Sequence, residues 1–171
     1  MPSFIPHIDV MEYFRPGWES GACTLVTSGM SDIRMNVSQD THAIRRVELV
    51  FYCQEPRRLY SETLRVLAHF PHDQKTWFGA FHTMVNGNPP GPLWDTEFMN
   101  SILFLPPILK EDLNLHEELV LDGDGVDLLW VVPISEEECK FKLANGVGAL
   151  LEIFDKNDLP VVFDPERKSY V

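Results

Sequence analysis

Near the front of the chain, Thr24 to Asp32 reads TLVTSGMSD, an apolar run followed by hydroxyls, a glycine and an acid. A serine on a strained turn after a strand, with a histidine base and a carboxylate to orient it, would make a hydrolase nucleophile. Ser31 is the candidate nucleophile, His82 or His42 the base, and Asp32 or Asp95 the orienting acid. The elbow of such enzymes is G-x-S-x-G, because side chains clash on that turn. Here Gly29-Met30-Ser31-Asp32-Ile33 puts Ile33 where the second glycine belongs. Ser28, Ser31 and Asp32 then read better as turn formers that hydrogen-bond the backbone where a strand ends, with Gly29 allowing a tight turn.

Other constellations fail on spacing. DGDGVD at 122–127 has acids at alternate positions, as a calcium loop does, but Pro133 stands where the twelfth-position glutamate would fall. LDGDG instead suits a hairpin turn. Of the six histidines only His69 and His72 are close, and Pro71 between them is expected to end the helix and spoil a common ligand face. With no H-E-x-x-H, no C-x-x-C and no phosphate-cradling glycine loop, the expectation is no metal, no cofactor and no enzyme. Cys23, Cys53 and Cys139 are widely spaced among apolar neighbours, which suits buried reduced thiols and a cytoplasmic protein.

The remaining candidates are loop aromatics with polar neighbours: Trp77, Phe78 and His82 in TWFGAFH, and Trp94 with Asp95 in GPLWDTEF. Aromatics supply contact area at little entropic cost, so these five residues are the expected partner-binding set. The alternative is that they plug the core beneath a long loop.

The elements that must position them follow from periodicity. Ala22–Ser28 and Arg46–Cys53 contain alternating segments, with Val47, Leu49 and Phe51 on one side of the second, and both read as half-buried strands. Ser101–Leu105 and Leu128–Ile134 are apolar on both faces and suit central strands, with Glu118–Leu121 a shorter partner. Leu59, Thr63, Val66, Leu67 and Phe70 form the stripe of an amphipathic helix. Ser135 with Glu138 forms a capping box that starts a second helix, expected to end near Asn145-Gly146 and to resume through Val147, Leu150, Leu151 and Phe154. Strands in groups with helices between them give an α+β fold, a mixed and largely antiparallel sheet flanked by helices in one domain over 1–171.

Composition limits the partners. The 171 residues carry 14 basic and 26 acidic side chains, a net charge of −12. That field repels nucleic acid and anionic lipid and speeds encounter with a basic protein. Apolar runs such as Leu128 to Val132 are far too short to span a bilayer, and the N-terminal MPSFIPHIDVMEYF lacks the parts of a signal peptide.

Three ordered stretches resemble the suppressor-of-fused family: TLVTSGMSD with VELVFY at 47–52, HTMVNGNPPGPLWDTEFMNSILFLPP at 82–107, and the run from VDLLWVVPISEEE to VFDPERKSYV at 126–171. The family's structural markers fall on Thr27, Gly29, Asp32, Pro106, Pro107, Pro133 and Asp164. The resemblance implies an α+β domain that binds protein instead of catalysing a reaction. It is to the bacterial single-domain form, which is similar to immunity proteins of toxin systems. The implied partner is a protein, a basic toxin domain or an extended peptide. A domain serving only as an oligomeric scaffold is the remaining alternative.

Overall fold

The computed structural model describes residues 6–18, 22–113 and 115–171; the first five residues of the N-terminal stretch read above lie outside it. Its strands are β1 (Asp9–Phe14), β2 (Cys23–Ser28), β3 (Arg46–Cys53), β4 (Thr83–Val85), β5 (Met99–Leu105), β6 (Val120–Leu121) and β7 (Asp124–Ser135). The helices are α1 (Arg58–Asp73), α2 (Lys110–Leu113), α3 (Leu115–Glu118), α4 (Glu136–Asn145) and α5 (Val147–Lys156). The sheet runs β1-β2-β3-β7-β5-β4, with β6 paired to the start of β7. Among the strand pairs of the described residues only β3–β7 is parallel, so the sheet is mixed and largely antiparallel, as the α+β reading requires.

Side-chain alternation along the central strands builds two cores, one on each face. Leu49 and Phe51 of β3 and Val131 of β7 pack beneath α1, which contributes Tyr60, Leu64, Leu67 and Ala68. Val50, Tyr52, Trp130 and Val132 face the other way, against Cys139 of α4 and Leu150 and Phe154 of α5. β3 is therefore buried along its whole length, not half buried as its alternation suggests, because α4 and α5 return over Val50 and Tyr52 while the turn after β2 closes over Arg46 and Glu48. β2 is likewise buried except near its end.

Two further expectations change in detail. Pro71 lies inside α1, which continues to Asp73. A proline in a last turn forfeits only its own hydrogen bond, and the turn closes through Gln74 N–H to the Phe70 carbonyl and Thr76 N–H to that of Pro71. Glu118 belongs to α3, and the short strand begins at Val120. The hairpin turn itself is as read, with Asp122 at φ 50° and Gly123 at φ 82°, the positive pair of a two-residue loop.

The capping box forms as the spacing predicts. Ser135 Oγ accepts from Glu138 N–H at 3.0 Å and Glu138 Oε2 accepts from Ser135 N–H at 2.9 Å. Glu138 is fully buried and does more than cap. Arg167 donates to it at 2.6 and 3.0 Å, also donates to the Pro133 carbonyl, and lies over the Tyr170 ring at 4.7 Å. Tyr170 N–H completes the shell at 3.1 Å. This pair fastens the C-terminal segment across the end of the sheet.

The turn after β2 closes on a second buried acid. Glu48 Oε1 accepts from Gly29 N–H at 3.1 Å, Ser31 N–H at 2.9 Å and Ser31 Oγ at 2.6 Å. Its Oε2 accepts from Thr27 Oγ1 at 2.6 Å, and the same hydroxyl accepts Leu49 N–H where the β2–β3 ladder stops. Gly29 sits at φ 113°, and a Cβ there would lie 2.2 Å from the His7 carbonyl oxygen.

Replacing Gly29 with Ala should cost at least about 2 kcal/mol in urea unfolding, because strain and a backbone clash act together. Arg167→Met should cost about 3–5 kcal/mol, the expected loss when a buried carboxylate loses its cation. A loss under about 1 kcal/mol for Arg167→Met, the scale of an exposed pair, would show that Glu138 keeps its charge without Arg167.

Candidate functional site

Of the five expected partner-binding residues, Trp77, Phe78 and His82 lie beside β4, whereas Trp94 and Asp95 lie in the loop before β5 against the first part of α1. Among the described residues β4 pairs only with β5, so one side of Thr83–Val85 lacks a strand neighbour. His82 leads directly into β4, and its ring meets Trp77 edge-on at 4.3 Å. Phe78 is buried, stacked against Phe104 at 4.5 Å and Phe70 at 5.7 Å, so it supports the edge from beneath.

Trp94 and Asp95 approach from the loop before β5. Trp94 has φ 54° and a half-buried ring, packed 4.6 Å from Tyr60, 5.1 Å from Phe51 and 5.2 Å from Phe163. Its indole N–H donates to Thr63 Oγ1 of α1 at 2.9 Å. Asp95 is exposed and pairs with Arg57 at 2.7 Å. Trp94 thus ties the loop to α1, while Asp95 leaves a carboxylate in solvent.

Between α1 and β4 runs a groove of about 260 Å³ lined by Thr63, Val66, Leu67, Met84, Val85 and Leu93, with Glu62 at its side. Val66 is 67% exposed and Val85 42% exposed, so apolar surface flanks the open edge. Sequence reasoning missed these two. Val66 belongs to the stripe assigned to the core, and three-residue β4 is too short to show alternation.

The hydrolase grouping is not assembled. The Ser31 hydroxyl donates to Glu48, and its turn follows β2, which three strands separate from β4 in the sheet order. His82 packs on Trp77, His42 is exposed, and Asp95 faces Arg57. Both histidines of α1 share its last two turns, with His72 Nε2 at 3.0 Å from the Met30 carbonyl. Among the described residues no group of three or more His, Cys, Asp or Glu is placed to hold a metal ion, and no helix is long and apolar enough to cross a membrane.

A mixed sheet between α1 and the α4–α5 pair, with one short strand open at its end, is the architecture of a known class of solved α+β domains. A Neisseria gonorrhoeae protein described as a suppressor of fused homologue superposes with a TM-score of 0.70 at 20% identity, covering 96% of this chain and 78% of that one. Sufu in a Sufu–Fu complex gives 0.63 at 13% identity, with 95% and 76% covered. Drosophila Suppressor of Fused gives 0.61 at 15% identity, covering 95% of this chain but 42% of the other. At these identities the likeness establishes the fold. A search of the curated proteins found no match. The sequence profile of the suppressor of fused protein family matches residues 5–168, and the chain belongs to that family.

His82 provides a local probe of the site. Partial burial first, and the Lys142 charge second, hold its titration below the usual 6.5, against a hydrogen bond donated by the ring to the Trp77 backbone, which favours the imidazolium. A folded-state value below the unfolded one means that the neutral ring stabilises the fold above 6.5 and that this contribution is lost as pH falls. An NMR titration should place the His82 midpoint below 6.5. His82→Gln should reduce the loss of stability between about pH 7 and 5, the range in which an ordinary histidine charges. A midpoint above 6.5 would contradict the burial argument.

Proposed function

We propose that this domain is a non-enzymatic protein-binding module that captures an extended segment of a basic partner at the β4 edge. In its most specific form it is an immunity protein that neutralises a toxin in a bacterial toxin system. The open edge of β4 beside the Val66–Val85 groove carries the proposal. An added strand would gain main-chain hydrogen bonds from β4 while alternate side chains enter the groove.

Charge supports the same reading. The net charge of −12, with Glu62 on the groove wall, favours a basic partner and accelerates its approach. The family supports protein binding, since a structural relative has been solved as a Sufu–Fu complex. Three free buried cysteines suit action in the cytoplasm, where thiols stay reduced.

The test uses the tagged chain and the product of the gene adjacent to its own, with binding followed by biolayer interferometry. A basic partner should bind, and its association rate should fall by about tenfold or more between low and high salt, as steering is screened. Val85→Lys, which places a charge in the groove without entering the core, should weaken binding by about 2 kcal/mol or more. A partner whose association ignores both salt and Val85→Lys would overturn capture at this edge.

A further inference from the structure

A second and larger cleft, about 760 Å³, lies over the part of the sheet formed by β1, β2, β3 and the start of β7. Its floor is the part of the sheet that α4 and α5 leave uncovered, with Val26, Val126 and Leu128, and its sides include Met11 and Tyr13 of β1 and Leu119 after α3. Met11 and Tyr13 are 47% and 52% exposed. The turn Ser28, Gly29, Ser31 and Asp32 forms one polar part of the lining together with Thr27 and Glu48, and Thr24, Arg15 and Asp112 form another, in which Arg15 is already paired with Asp112 at 2.6 Å.

Glu48 makes this cleft chemically specific. The residue is more than nine-tenths buried, yet all four of its hydrogen-bond donors are neutral: two hydroxyls and two backbone amides. Among the described residues no cation pairs with it. Arg46, two positions along the same strand, is engaged by Asp122, Asp124 and the carbonyls of Ser31 and Asp32. The donors are also unevenly shared, three on Oε1 and one on Oε2. A carboxylate offers about four acceptor sites, two on each oxygen, so Oε2 retains one. Buried charges are ordinarily paired with a counter-charge, and here the cleft leads to the carboxylate that has none.

We propose that the cleft receives an arginine side chain of a protein partner, whose guanidinium meets Glu48 Oε2 and the Asp32 carboxylate while its methylenes lie along Val26, Val126 and Leu128. The match is one of stem and head. Arginine buries an aliphatic stem with a charged end, as an apolar channel closed by an acid demands. Its weak hydration makes it less costly to enclose than lysine, and its planar fork can reach two acceptors at once. The inference rests on the reading of this domain as a binder of basic proteins, and it adds a second anchoring point on the opposite half of the sheet from β4.

The probe is the tripeptide acetyl-Leu-Arg-Leu-amide, compared with the same peptide carrying citrulline, an uncharged isostere of arginine. Binding is followed by NMR at the Gly29 and Ser31 amides, which donate directly to Glu48. The arginine peptide should shift both signals saturably, and the citrulline peptide should bind about tenfold more weakly or worse, the loss expected of a charge-assisted hydrogen bond. Leu119→Arg, at a 39% exposed position on the cleft wall, should supply its own guanidinium and abolish the response. Glu48→Gln should weaken arginine-peptide binding at least as much as citrulline does, and if that variant does not fold the Leu119→Arg result still decides. Equal binding of the two peptides, no saturable shift, or a response unchanged in Leu119→Arg would each overturn the proposal. The tripeptide requires no natural partner and Val85→Lys does not touch this cleft, so capture at β4 and arginine recognition here fail separately.

Discussion

A buried carboxylate on the central part of the sheet constrains much of the surrounding chain. Glu48 projects from β3 toward the face that the helices leave partly open, and the chain folds back to supply its donors. Leaving such a group unsatisfied costs more than any single hydrogen bond gains, so the donors are held together or not at all. Satisfying it fixes the end of β2 at Thr27, the left-handed conformation at Gly29 and the hydroxyl direction of Ser31. Gly29 in turn is pressed against the His7 carbonyl, just before β1 begins, so the position of the edge strand also depends on this acid. The TLVTSGMSD stretch is thus the receptor of a carboxylate, and its serine is a donor to that acid.

Glu138 repeats the device at the far end of β7 with one difference. Its shell includes a cation, Arg167, and with it the C-terminal segment is fastened across the end of the sheet. Asp112 makes a third case, joined by Arg15 from the strand-turn region after β1 and by the Tyr52 hydroxyl. Each interior acid connects segments distant in sequence: Asp112 and Arg15 are separated by 97 positions, Glu138 and Arg167 by 29. Such contacts give little to local propensity but specify one arrangement of the layers, since each alternative leaves a charge unpaired in a low-dielectric interior.

These long-range acids also explain which parts were legible in sequence. The α1 stripe, the Ser135–Glu138 capping box, the LDGDG hairpin and the runs of β5 and β7 are local patterns, and each survives in the structure with small shifts at its ends. β1 was not legible, because DVMEYF is exposed along nearly all its length and so carries no burial period. β3 was read as half buried because Glu48 looks like a solvent-facing residue until its donors from 27–31 are known. Around β4, the apolar residues that face solvent, Val66 and Val85, have no local pattern that distinguishes them from core, and none of the five aromatic and polar residues picked from sequence lines the groove between them. Trp94 illustrates the limit: its hydrogen bond to Thr63 and its contacts with Tyr60 and Phe163 bring together residues from three parts of the chain.

The same arrangement decides where the charge acts. Arg15, Arg46 and Arg167, all largely buried, are committed to acids and carbonyls within the fold. Arg15 and Arg167 each leave the surface together with a buried carboxylate, whereas Arg46 is buried against Asp122 and Asp124 at the surface, so folding does not reduce the excess of acidic over basic groups outside. Glu48 departs from this pattern, since its donors are dipoles and its charge is never cancelled. An uncancelled anion beneath an apolar cleft contributes a local field that a solvated carboxylate at the rim would not, because less water screens it. The fold thereby leaves two kinds of negative charge, a diffuse excess on the surface and one interior carboxylate whose hydrogen-bond donors are all neutral.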